Sequence, residues 1–146
     1  MAKVFEIAIS QNPKGKMESR KSVKVVSGKG IVNDRKFKDN NDKKRQITLI
    51  EIENIKYYNQ ITGTLIPPIE FRRNIITEGI RLNELVGKEI TIGEIKMKAH
   101  DLCRPCKYLQ DSFKQKNVIK ELLFKGGLRC ELLNDGEITV GDLVKS

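Results

Sequence analysis

Glu89-Ile90-Thr91-Ile92-Gly93-Glu94-Ile95-Lys96-Met97-Lys98-Ala99-His100 is the stretch that decides the fold class. Ile90 and Ile92 alternate with polar residues up to Gly93-Glu94. Beyond that pair, Ile95, Met97 and Ala99 share one face, and Lys96, Lys98 and His100 share the other. Successive strand side chains point to opposite faces. A two-residue period on both sides of a glycine turn therefore predicts a tight hairpin with one face buried.

The same reading extends upstream. Residues 82–86 make one helical turn closed by Gly87, and Pro67-Pro68 breaks the chain before an extended segment at 69–76. Residues 51–58 predict a short helix through the spacing of Ile52 and Ile55, and 46–50 a β-branched strand. Residues 34–45, nearly free of apolar side chains, predict a long loop with a mobile tip at Asp39-Asn40-Asn41-Asp42. Residues 22–26 and 3–10 are further strands.

Downstream, Pro105 suits the first position of a helix over 104–113. Asn117 caps a second helix carrying Val118, Ile119, Leu122 and Leu123, and Gly126-Gly127 ends it. Strands at 128–133 and 137–140 flank the turn Asn134-Asp135-Gly136. Many short strands and few helices predict a mainly β chain, a twisted β-barrel with a few short helices. No repeat or linker divides it, so residues 1–146 read as one domain.

The charge balance narrows the partners. Lys and Arg total 28 against 19 acids, a net +9, which favours anionic partners or simply a soluble surface. Nucleic acid is disfavoured: the aromatics interleaved with basic residues in single-strand platforms are missing, and no recognition-helix pattern stands out. No apolar run approaches the roughly 20 residues that span a bilayer. The N-terminus lacks a signal-peptide core. The expectation is a cytoplasmic protein without a membrane partner. Three cysteines, Cys103, Cys106 and Cys130, are too few and too odd in number for a disulfide scaffold.

Cys103-Arg104-Pro105-Cys106 is the sharpest chemical feature. Placed in a first helical turn, the Cys106 thiolate would feel the helix dipole and the charges of Arg104 and Lys107, all of which favour ionisation. Four readings stand: two buried cysteines, a redox couple, a zinc site completed by His100 and Cys130, and a single thiolate ligand to molybdenum. Local residues leave all four open. Glu70-Phe71-Arg72-Arg73-Asn74 is the second feature. Arginine grips phosphate with two parallel hydrogen bonds, asparagine reads a heterocycle, and on a strand the two arginines would face opposite ways. The bland alternative is a charged edge strand. Gly28-Lys29-Gly30 before Asp34-Arg35 is either an anion-binding backbone loop or a plain hairpin turn.

Together, in this order, the motifs resemble a known family. Gly30-Ile31-Val32-Asn33-Asp34-Arg35, Arg45-Gln46-Ile47-Thr48-Leu49-Ile50, Arg72 to Ile80, Leu82 to Gly87, the cysteine motif and Gly136 to Asp142, ending Val140-Gly141-Asp142, are similar to successive segments of the MOSC domain, the molybdenum-cofactor sulfurase C-terminal domain. The likeness runs through residues 3–145. It implies a MOSC-type β-barrel that binds the molybdenum cofactor (molybdopterin), an anionic pterin. By position, Cys106 is similar to the catalytic cysteine that ligates the metal. Arg72, Arg73 and Asn74 would contact the pterin or its phosphate, with Arg35, Arg45 and Arg104 as further contacts. The implied activity is reduction of N-hydroxylated or N-oxide substrates, with electrons from a separate reductase. The alternative is a carrier of cofactor, or of sulfur as a persulfide on Cys106, that delivers to a receiving enzyme. No pyridoxal phosphate would be bound by this domain alone. Two departures stand out: Lys36 where the family often has histidine, and Asn33 where it often has glycine.

Overall fold

Strands dominate the computed structural model, which describes residues 1–103 and 125–146. In chain order they are β1 (Lys3–Ile9), β2 (Glu18–Arg20), β3 (Ser22–Val26), β4 (Gly30–Ile31), β5 (Ile47–Glu51), β6 (Ile75–Glu78), β7 (Glu89–Ile92), β8 (Ile95–Leu102), β9 (Leu128–Leu132), β10 (Gly136–Thr139) and β11 (Val144–Lys145). Among the described residues one helix, α1 (Ile52–Thr62), follows β5, and single 3-10 turns occupy Pro68–Phe71 and Leu82–Leu85.

Eight strands form one sheet in the order β11-β7-β8-β9-β5-β6-β1-β2, and β10-β3-β4 form a second. The large sheet curls until its ends meet. Val144 N donates to Ala2 O at 3.0 Å, and Val4 N donates to Asp142 O at 2.9 Å, so the β11 segment meets the start of β1. The fold is thus the mainly β, curled barrel expected. The β7–β8 hairpin holds as read: Ile92 pairs with Ile95 across Gly93-Glu94, and Ile90, Ile92, Ile95, Met97 and Ala99 are all buried. These side chains join Ile7, Ile47, Leu49, Ile75, Leu128 and Leu132 in the barrel interior. Burying each such side chain contributes about 1.5–3 kcal/mol.

Three expectations are corrected. Residues 69–76 are not one extended run: a 3-10 turn ends at Phe71, and the strand begins at Ile75. The helix runs to Thr62 rather than 58, because Gly63, with φ +65°, accepts the left-handed cap. Its buried residues Ile52, Ile55 and Tyr58 lie against Ile50, Ile76 and Phe71 on the outer side of the sheet, and the Tyr58 and Phe71 rings meet edge to face at 5.6 Å. The tip of the 34–45 loop is tied down. Asn41 Nδ2 donates to Lys29 O at 2.9 Å and to Lys36 O at 2.6 Å, and Lys29 pairs with Asp39 at 3.1 Å. The two helices expected at 104–113 and 117–123 lie outside the described residues.

Candidate functional site

Strand alternation puts two different environments back to back. Along β5, Ile47 and Leu49 enter the interior and Thr48 faces out; along β9, Leu128, Cys130 and Leu132 enter it and Arg129 faces out. On that outer face lies a cleft of about 260 Å³. The loop before β5 brings Lys36, Lys44 and Arg45 to it; the residues between the 3-10 turn and β6 bring Arg73; β9 brings Arg129. Thr48 and Cys103 complete the lining. Among the described residues the lining holds five cations and no carboxylate, a positive field suited to an anion. A depression of about 300 Å³ elsewhere is lined by Arg20, Lys24 and Glu137; charges of both signs give it no comparable field.

Gly126-Gly127 organises the floor. Arg73 Nε donates to Gly126 O at 2.8 Å, and Cys103 N donates to Gly127 O at 2.7 Å. Gly127 has φ +102°, and a Cβ there would overlap the Leu49 carbonyl oxygen, so only glycine fits. At the rim, the Asp101 carboxylate takes two bonds from Arg129, through Nε at 2.8 Å and through Nη2, and lies 3.4 Å from Lys44 Nζ. The Arg129 bonds hold Asp101 below the usual carboxylate range. Lys36 is also driven down, to about 8, first by burial and then by Arg35, against the opposing pull of Asp34; there the shift disfavours the charged form. An ammonium held so close to other cations is costly until an anion arrives.

The residues expected from sequence separate. Arg73 and Arg45 line the cleft. Arg72 does not share the strand placement first read for it. It takes φ +63° as the cap of the 3-10 turn, and its Nη1 donates to Gly15 O at 2.7 Å. Arg35 turns toward Asp34 (3.2 Å) and Met17 Sδ (3.7 Å). Asn74 is fully buried beneath the cleft. Its Oδ1 accepts from Thr48 N and Oγ1, both at 3.2 Å, and its Nδ2 donates to Ala8 O at 3.1 Å, so it cross-links β5 and β1. Asp34 shapes the turn, accepting from Ser10 N at 3.1 Å and Lys36 N at 3.3 Å. The Gly28-Lys29-Gly30 segment is the hairpin turn between β3 and β4, with Lys29 N donating to Val26 O. Arg104 and Cys106 lie outside the described residues.

The zinc set does not assemble around Cys130 and His100. Cys130 is inside the barrel, and burial pushes its thiol well up. His100 is paired with Glu131, the outward neighbour of Cys130, at 2.9 Å. Among the described residues no cluster of three or more metal-ligating side chains forms. Sequence reading missed three cleft residues. Lys36 registered only as a departure from the family, Lys44 only through the loop predicted at 34–45, and Arg129 not at all. Its partner Asp101 is 28 residues away, joined to it only by the β8–β9 register.

Comparison with known proteins agrees with this architecture. The family model of the MOSC domain matches residues 33–145. No curated protein matches the sequence. Among solved structures, the YuaD protein from Bacillus subtilis superposes with a TM-score of 0.82 at 18% identity, covering 98% of this chain and 93% of that one. YiiM from Geobacillus stearothermophilus gives 0.77 at 15% identity, covering 99% and 74%. YiiM from Escherichia coli gives 0.68 at 14%, covering 99% and 68%. No helix among the described residues is long and apolar enough to cross a membrane. With most of its length matched by that family model and its strands curled into the same fold, the chain belongs to the MOSC domain family.

Proposed function

We propose that the basic cleft holds the molybdenum cofactor, with Cys106 as the protein's ligand to the metal, and that the domain reduces N-hydroxylated or N-oxide substrates with electrons from a separate reductase. The observation that carries this reading is the convergence of Lys36, Lys44, Arg45, Arg73 and Arg129 on one cleft beside Cys103. Its donor set fits an anionic pterin phosphate. Arg73 supplies a planar fork anchored at Nε by Gly126 O, a geometry matched to phosphate oxygens. Lys44 and Arg129 offer charge at the rim, balanced by Asp101 until a stronger anion competes. Cys103 opens the Cys103-Arg104-Pro105-Cys106 motif from the end of β8, so the residue proposed as metal ligand follows the cleft by three positions in the chain. When bound, the cofactor would supply the oxygen-atom chemistry; the protein's part is to hold it, orient it and balance its charge.

The test is molybdenum content after anaerobic loading of the full chain with cofactor, in wild type and in Cys106→Ser. Near-stoichiometric metal in the wild type and its loss in the variant are the expected result. Turnover of an N-hydroxylated substrate with an artificial electron donor then separates the enzyme from a carrier that retains cofactor without turning over. Zinc in both preparations and no molybdenum would sink the reading.

A further inference from the structure

We propose that Lys36 is an acyl acceptor: the cleft docks an acyl phosphate by its phosphate group, and the Lys36 amine takes the acyl group. This goes beyond the cofactor reading and needs only the anion cleft, so either can fail without the other.

The geometry supplies both halves of the reaction. Arg45, Arg73, Arg129 and Lys44 line the same cleft as the Lys36 side chain; among the described residues no carboxylate lines it, and Asp101 pairs with Arg129 and Lys44 at the rim. They are placed to hold a phosphate and to stabilise the charge it gains as a leaving group. Lys36 is carried there by a fixed turn: its backbone N–H donates to Asp34 Oδ2 at 3.3 Å, and its carbonyl accepts from Asn41 Nδ2 at 2.6 Å. The groups acting on its amine are Arg35 and Arg73, which disfavour the ammonium, and Asp34 and Cys103, which favour it; burial is the largest influence. The balance leaves the pKa at about 8. At pH 7 roughly a tenth of this amine is therefore unprotonated, whereas an ordinary lysine is almost wholly protonated. Desolvated lysines beside other cations are activated nucleophiles for this reason.

The step balances without an oxidant or reductant. The Nζ lone pair attacks the acyl carbon and the carbon–oxygen bond to phosphate breaks. Phosphate leaves with that electron pair, the surplus amine proton passes to solvent, and an amide remains. The product has lost one of the five cleft charges, so acylation lowers the cleft's affinity for any later anion.

The experiment exposes the full chain to acetyl phosphate near pH 7.5 and follows each lysine by peptide mass spectrometry. Lys36 is expected to acetylate at least about tenfold faster than the exposed Lys56 and Lys88. Excess inorganic phosphate should slow Lys36 and leave the other two unchanged. Arg73→Ala, checked for folding by thermal melting, should erase most of the preference. Equal rates at the three lysines would overturn the proposal. So would a Lys36 rate indifferent to phosphate, or label confined to the Cys103 thiol and released by hydroxylamine.

Discussion

Cys130 and Cys103 sit on neighbouring parts of one sheet and live in different media. Cys130 pairs across β9 with Ile47 and Ala99 inside the barrel, where burial makes its thiolate unfavourable. Cys103, just past β8, lines a cleft of five cations. The interior cluster around Cys130 is apolar, built from side chains such as Ile47, Leu49, Ala99 and Leu132. The cleft packs like charges together, and Lys36 is held below the ordinary lysine range, first by burial and then by Arg35 and Arg73. The difference teaches that the two faces are built for different ends: the inner face holds the strands together, and the outer one costs stability until an anion occupies it.

The harshest way to break the comparison is to strike the residue that serves both faces. Gly127→Ala forces a Cβ into the Leu49 carbonyl at a left-handed backbone position. It also disturbs the bond that holds Cys103 N. We expect a loss of about 4 kcal/mol or more, with anion binding lost as well. A urea unfolding free energy within about 1 kcal/mol of wild type would show that floor and core are not coupled.

Asn74→Ala comes next. It leaves Thr48 N and Ala8 O without their partner in a fully buried setting, which should cost about 2–4 kcal/mol. The folded fraction should bind anions normally. A variant of wild-type stability with weakened anion binding would instead give Asn74 the ligand contact expected from its sequence position.

Thiol labelling sharpens the contrast directly. An anionic aromatic disulfide reagent should modify Cys103 at least about a hundredfold faster than Cys130 in the native protein, with the two rates converging in denaturant. Comparable native rates would mean that the cleft is no more reactive than the core.

Arg73→Ala should weaken sulfate binding by about tenfold, and Arg72→Ala should leave it nearly unchanged. Calorimetric titration of both variants measures this, and the reverse order would undo the site. These two arginines also mark what sequence can and cannot supply. Alternation is local, so the β7–β8 hairpin was legible residue by residue, as was the β5 strand within one position. Register and chain reversal are not local. A 3-10 turn ending in a left-handed Arg72 sends the adjacent arginines to different places by a route that no strand pattern foretells. The parallel pairing of β5 with β6 across α1 was likewise hidden, because the intervening residues read as separate short elements. Of the cleft, Arg45 and Arg73 were found through family motifs. Lys36, Lys44 and Arg129 were not, since only the folded sheet brings residues 36, 44 and 129 together.

The smallest effect is the most specific, and it has opposite signs in two experiments. An anion beside Lys36 favours the ammonium, so binding takes up protons and affinity should fall as pH rises through about 8. Sulfate is the right probe because its charge is constant across that range, and a change of severalfold is expected. Stability of the unliganded protein should move the other way. The unfolded lysine titrates near its ordinary 10.5 and the folded one near 8. The folded state therefore carries the cost of an unwelcome ammonium below pH 8 and sheds it as pH rises toward 10.5. Lys36→Gln should flatten both profiles together. If it flattens only the stability profile, Lys36 is a half-buried lysine that no anion meets. If it flattens only the binding profile, the amine titrates normally until a ligand arrives, and the strain assigned to the empty cleft lies with another of its cations.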